Sequence, residues 1–104
     1  MADVSMDLPM REIREFCARW KIREFALFGS VLRDDFGPGS DVDVMVSFAP
    51  DAGWSLLDHV GMQDELAEIL GRKVDLVTKP GVELSRNPFR RRRILDSARV
   101  IYAA

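Results

Sequence analysis

The chain has 104 residues, 47% of them apolar and 31% charged, with a net charge of -2 and a pI near 5.3. That length suits one domain with one core, the composition excludes a wholly disordered chain, and the lack of a basic excess argues against a protein that coats nucleic acid. A single cysteine, Cys17, excludes an internal disulfide and a cysteine metal cage.

Residues 1–8 read as a loose leader, and residues 1–104 as one domain. Asp3 and Asp7, with no basic start, do not make a signal peptide, and no apolar run is long enough to span a bilayer, so the cytoplasm is the expected location. Asp7 is a candidate helix cap with Pro9 in the first turn. Met10, Ile13, Phe16, Cys17 and Trp20 recur at three- and four-residue spacing, which predicts an amphipathic helix over 9–20. Phe25 to Phe28 is a short apolar run ending at Gly29, expected as a buried strand. Ser30 to about Phe36 is expected as a short helix, stopped by Gly37-Pro38-Gly39. Asp41 to Phe48 alternates and is rich in valine, which predicts a strand.

Ser55 is a candidate N-cap for a helix carrying Leu56, Leu57, Val60, Met62, Leu66, Ile69 and Leu70 and ending at Gly71. Lys73 to Thr78 alternates again and is expected as a strand, closed by Lys79-Pro80-Gly81. Residues 82–88 read as irregular, Phe89 to about Ala98 as a helix, and Arg99 to Tyr102 as a short edge strand. The order is α/β (α+β): a mixed sheet of three to four strands packed against helices.

Chemistry concentrates in two places. Gly29 after a strand permits a close approach that a Cβ would block. Ser30 then opens the expected helix, where free N–H groups and the helix dipole favour an anion such as phosphate. Eleven residues after Ser30 comes Asp41, then Asp43. Residues two apart in a strand share a face, about 6.6–6.8 Å apart along the chain. Two carboxylates on one face repel unless a cation or protons lie between them. Oxygen ligands suit Mg²⁺, which binds carboxylates together with substrate phosphates. Asp75, in the otherwise apolar Val74–Val77 run, is placed to face that pair from a neighbouring strand, which allows a two-metal or metal-plus-base arrangement.

Three strings carry a resemblance: Leu27-Phe28-Gly29-Ser30-Val31-Leu32-Arg33, then Gly39-Ser40-Asp41-Val42-Asp43-Val44-Met45-Val46, then Gly71-Arg72-Lys73-Val74-Asp75-Leu76-Val77. Together they resemble the minimal nucleotidyltransferases of the polymerase-β-like superfamily, over roughly residues 10 to 102. The resemblance implies a nucleotidyltransferase-like fold and a site for ATP and Mg²⁺, with two ions expected. In it Gly29, Ser30, Arg33 and Ser40 bind the nucleotide, and Asp41, Asp43 and Asp75 are metal ligands and catalytic carboxylates. Leu32 and Asp34 depart from the alanine and glycine of many members. The resemblance also implies a partner, an all-helical HEPN ribonuclease toxin to which this chain is the antitoxin. It would neutralise the toxin by transferring AMP to a hydroxyl or by binding alone. A chain of this length leaves no room for a second domain to hold the acceptor, which fits a protein substrate. No membrane partner is expected, direct nucleic-acid binding is disfavoured, and homo- or hetero-oligomers are both open.

The run Arg90 to Arg93 spreads around a helix rather than forming one patch, so a solvated face is the simpler reading. Arg91 shares a face with Ile94 and Leu95 and could pair with a carboxylate or meet a partner. His59 has no second histidine to join it in a metal site. Trp20 and Trp54 read as lids on the core, and Cys17 as an inert core residue.

Overall fold

In the computed structural model, which describes residues 7–33, 36–37 and 39–104, four strands form one sheet with helices on both faces. The elements are α1 (Met10–Arg19), β1 (Ile22–Phe28), a 3₁₀ turn (Gly29–Leu32), β2 (Val42–Phe48), α2 (Leu56–Leu70), β3 (Val74–Thr78), α3 (Lys79–Glu83), α4 (Pro88–Ser97) and β4 (Arg99–Ala103). The sheet order is β3-β2-β1-β4. β1 is antiparallel to β2 and to β4, whereas β2 and β3 run parallel, joined by α2 as a crossover. No helix among the described residues is long and apolar enough to cross a membrane.

Strand alternation sorts the side chains into two layers. Phe25, Leu27, Val42, Val44, Val46, Val74 and Leu76 join Ile13, Phe16 and Cys17 of α1 and Met62, Leu66 and Leu70 of α2 in the larger core. Ala26, Phe28 and Met45 face the other way and meet Val82 of α3 and Ile94 of α4. Cys17 is fully buried, and burial pushes its thiol up to about 12, so it stays protonated and inert. Trp20 and Trp54 meet edge to face at 5.0 Å, and the Trp54 indole donates to the Trp20 carbonyl at 2.8 Å. Both pack on the larger core, as lids would.

The predicted elements return with five differences. Asp7 does not cap α1; Pro9 holds the cap position and no side chain bonds there. β1 begins three residues before the apolar run, at Ile22, because ladder pairing to β2 extends through a stretch of mixed polarity. The helix expected after Ser30 is one 3₁₀ turn that ends where Arg33 turns extended, and Asp34, Asp35 and Pro38 lie outside the described residues. α3 occupies Lys79–Glu83, which Pro-Gly made look like a turn; the Thr78 hydroxyl caps it and Pro80 sits in its first turn, where proline is welcome. α2 runs between its expected ends, with a Ser55–Asp58 capping box and a left-handed Gly71. Yet its first-turn Leu56 and Leu57 are over three-quarters exposed, and Val60 is exposed too, since only its later turns lie on the core.

α2 also guards the open edge of β3. The Leu76 N–H donates to Gln63 Oε1 at 3.0 Å, and His59 Nε2 donates to the Leu76 carbonyl at 2.9 Å. Two side chains thus finish a sheet edge that would otherwise invite another strand. His59 is a backbone partner here. Gln63→Ala leaves a donor of a buried residue unpaired and is expected to cost about 1–2 kcal/mol. A lower urea midpoint at unchanged slope checks this; an unchanged midpoint contradicts it.

Candidate active site

The site is assembled at the end of the sheet where β1 finishes and β2 and β3 begin. Register places Phe28 opposite Asp43 across the antiparallel pair, and Asp43 opposite Asp75 across the parallel pair. Adjacent strands lie under about 5 Å apart, so two carboxylates stand side by side on the face that α4 covers. Asp43 is half-buried and Asp75 exposed. Asp41 lies one residue before β2, exposed, and does not line the cleft described below, although its charge reaches Asp43.

Burial raises the Asp43 carboxyl above the ordinary aspartate value, and the charges of Asp75 and Asp41 raise it further. The Ser30 backbone N–H donates to this carboxylate and Arg33 attracts it, both of which pull the other way. Gly29 explains why the carboxylate fits. Its φ is +75°, and a Cβ there would lie 2.2 Å from Asp43 Oδ2. Glycine is required both for the conformation and for the room.

The two serine hydroxyls bond to nearby backbone. Ser30 Oγ donates to the Asp41 carbonyl at 3.1 Å, tying the 3₁₀ turn to the start of β2. Ser40 Oγ accepts from the Gly37 N–H at 3.1 Å and closes the loop before β2. Arg72 braces the same loop: it donates to the Gly37 carbonyl at 2.7 Å and lies 4.4 Å from the Phe36 ring centre. Neither serine lines the cleft.

A cleft of about 930 Å³ opens over the carboxylates. Phe28, Gly29, Leu32, Arg33, Asp43 and Asp75 form one side, and Asn87 with the Phe89–Ser97 face of α4 forms the other. The α4 wall was missed in the sequence because four consecutive arginines spread around a helix. In the structure Arg90 and Arg93 face the cleft, while Arg91 turns away and donates to the Ser85 carbonyl at 3.0 Å. The signal that could have found them is the i, i+4 relation of Phe89 with Arg93 and of Arg90 with Ile94.

A metal fits this donor set in kind. Among the described residues no three acidic, histidine or cysteine side chains form a ready-made cage. Mg²⁺ does not need one, since it takes one or two carboxylates and completes its shell with water and substrate phosphates. Two adjacent carboxylates, one of them raised by burial and by like charge, are a hard-cation site of that type.

Paired strand carboxylates beside a glycine turn suit a divalent metal together with substrate phosphates. The sequence profile of the nucleotidyltransferase domain matches residues 10–101, and the chain belongs to that family. Protein adenylyltransferase MntA of Thermococcus cleftensis is 37% identical over 73 residues, covering 70% of this chain and 69% of that one. A Methanocaldococcus jannaschii protein, provisionally named a protein adenylyltransferase, is 34% identical over 88 residues, covering 85% and 88%. Among solved structures, one provisionally named a minimal nucleotidyltransferase superposes with a TM-score of 0.65 at 33% identity, covering 90% of this chain and 95% of that one. A toxin–antitoxin structure with AMP-PNP shares the fold, with a TM-score of 0.71 at 21% identity over 93% of this chain and 75% of that one. The chain is a nucleotidyltransferase.

Proposed function

We propose that this chain moves AMP from ATP to a hydroxyl of a partner protein, and that the partner is a HEPN ribonuclease toxin which it restrains. The observation that carries the reading is the pairing of Asp43 with Asp75 at the floor of an open cleft beside Gly29. The relatives named protein adenylyltransferases support the acceptor class, and the toxin–antitoxin neighbours support the partner.

In this reading Asp43 and Asp75, helped by Asp41, would hold Mg²⁺, with two ions expected in the full complex. Bound there, Mg²⁺ would supply charge neutralisation on the triphosphate and would make the attacking hydroxyl more acidic. Gly29 lets the triphosphate approach the backbone, and Arg33 adds positive charge at the same end. Ser30 and Ser40, whose hydroxyls also hold the turn and the loop, complete the nucleotide-binding set with Gly29 and Arg33. Asp75, the exposed carboxylate of the pair, accepts the proton of the acceptor hydroxyl. The hydroxyl oxygen bonds to the α-phosphorus, the bond to the bridging oxygen breaks, and pyrophosphate departs.

Radiolabelled ATP, Mg²⁺ and the product of the adjacent reading frame test this directly. Label should move to the partner with the wild type and fall at least about a hundredfold with Asp41→Ala or Asp43→Ala, since even outer-shell changes at metal sites cost 10–100-fold. Protection from the partner that persists in both variants, with no label moved, would establish restraint by binding alone.

A further inference from the structure

The carboxylate floor poses an electrostatic problem. A triphosphate is a polyanion, and Asp43 and Asp75 repel it wherever metal does not intervene. Asp96, also facing the cleft, adds a third negative charge. Against these stand Arg33, Arg90 and Arg93, so three carboxylates and three guanidinium groups line one cavity. Among the described residues no ion pair engages Arg90 or Arg93.

The order of these groups along α4 matters. Arg99 pairs with Leu27, one residue before Phe28, so β4 brings the C-terminal end of α4 back to the end of β1 that bears the site. Asp96 and Ser97 therefore stand at the carboxylate end. Arg93, then Arg90 and Phe89, follow outward. At 1.5 Å per residue, Phe89 to Ser97 covers about 12 Å, a length comparable with an extended nucleoside triphosphate. Phe89 is a large apolar ring left 81% exposed at the outer end. Its position is defined by Asn87, whose side-chain oxygen accepts from the Phe89 and Arg90 N–H groups at 3.1 Å each.

We propose that α4 is the second wall of the nucleotide site, with Arg93 and Arg90 on the phosphates and Phe89 as the platform on which the base stacks. The proposal rests on the nucleotidyl-transfer reading and deepens it: α4 supplies the base platform as well as the phosphate contacts. Stacking on an aromatic ring tolerates any base, so ATP and GTP should bind with similar affinity unless the partner adds contacts.

Calorimetric titration of the purified chain separates the parts, using MgATP and magnesium tripolyphosphate as probes. Phe89→Ala should weaken MgATP roughly tenfold and leave tripolyphosphate unchanged, and Phe89→Tyr should restore MgATP binding. Arg90→Gln with Arg93→Gln should weaken both probes roughly tenfold or more and flatten their salt dependence. Thermal midpoints equal to wild type exclude unfolding as the cause. If Asp43→Asn abolishes Mg²⁺-dependent binding while the α4 variants bind like wild type, the wall is overturned and the transfer reading stands. If the wild type binds neither probe, both fall. If Phe89→Ala keeps full MgATP affinity but loses the partner protein, the ring is a protein contact and the platform is wrong.

Discussion

Asp43→Asn is expected to remove transfer activity by at least about a hundredfold while making the Mg²⁺-free protein more resistant to heat. The two effects have one cause. Burial, then the charges of Asp75 and Asp41, raise the Asp43 carboxyl in the folded chain, so the folded state holds its proton more tightly than the unfolded state does. Ionised Asp43 therefore opposes folding above its folded pKa. That opposition fades as pH falls toward the unfolded value of 3.8 and is gone below it. Asparagine keeps the shape and the acceptor for the Ser30 N–H but carries no charge. The variant should melt a few degrees higher than wild type at neutral pH, with the difference vanishing in acid. Mg²⁺ should raise the wild-type midpoint and leave the variant's unchanged. Without Mg²⁺, the Asp43 carboxyl should titrate above an ordinary aspartate, and added Mg²⁺ should lower it. A variant that melts lower than wild type at pH 7 would mean that the carboxylate is held by an attraction stronger than its burial and repulsion.

Gly29→Ala should fail in the opposite manner, losing stability and activity together. The left-handed backbone costs a residue with a Cβ about 1–2 kcal/mol, and the new methyl would lie 2.2 Å from Asp43 Oδ2. The nearest atom is the end of a side chain, so the chain survives by swinging the carboxylate aside. That movement takes the group away from Asp75 and from the cleft. Misplacement by about 1 Å can cost a hundredfold in rate, and the midpoint should drop by roughly 4–8 °C per kcal/mol lost. Thermal melting and the label-transfer assay, run side by side on both variants, give a cross pattern. One variant is inactive and more stable, the other inactive and less stable. An active Gly29→Ala would show that Asp43 does not need its present position.

Much of this was legible in the residues. Alternation in Asp41–Phe48 and Lys73–Thr78, the Ser55 cap and the Gly71 stop marked their elements, because those signals are local and depend on neighbours two to four residues away. α3 was hidden because Pro80-Gly81 reads as a turn until the Thr78 hydroxyl is seen to cap it. The exposure of Leu56 and Leu57 was hidden for another reason: an apolar stripe says which face is apolar but not how far along the helix the core extends.

The chain's own residues determined the parts list of the site, namely a glycine after a strand, a serine, and aspartates at alternating positions, since strand parity alone puts Asp43 opposite in sense to Val42 and Val44. Which aspartates become neighbours was decided by pairing between strands far apart in sequence, and it is the parallel register of β2 with β3 that sets Asp43 beside Asp75 and leaves Asp41 just outside. The backbone partners of the Ser30 and Ser40 hydroxyls, and the division of the arginine run between cleft and backbone, were likewise decided only by the fold. A hydroxyl or guanidinium group bonds whatever packing brings within about 3 Å, and packing is a property of the whole chain.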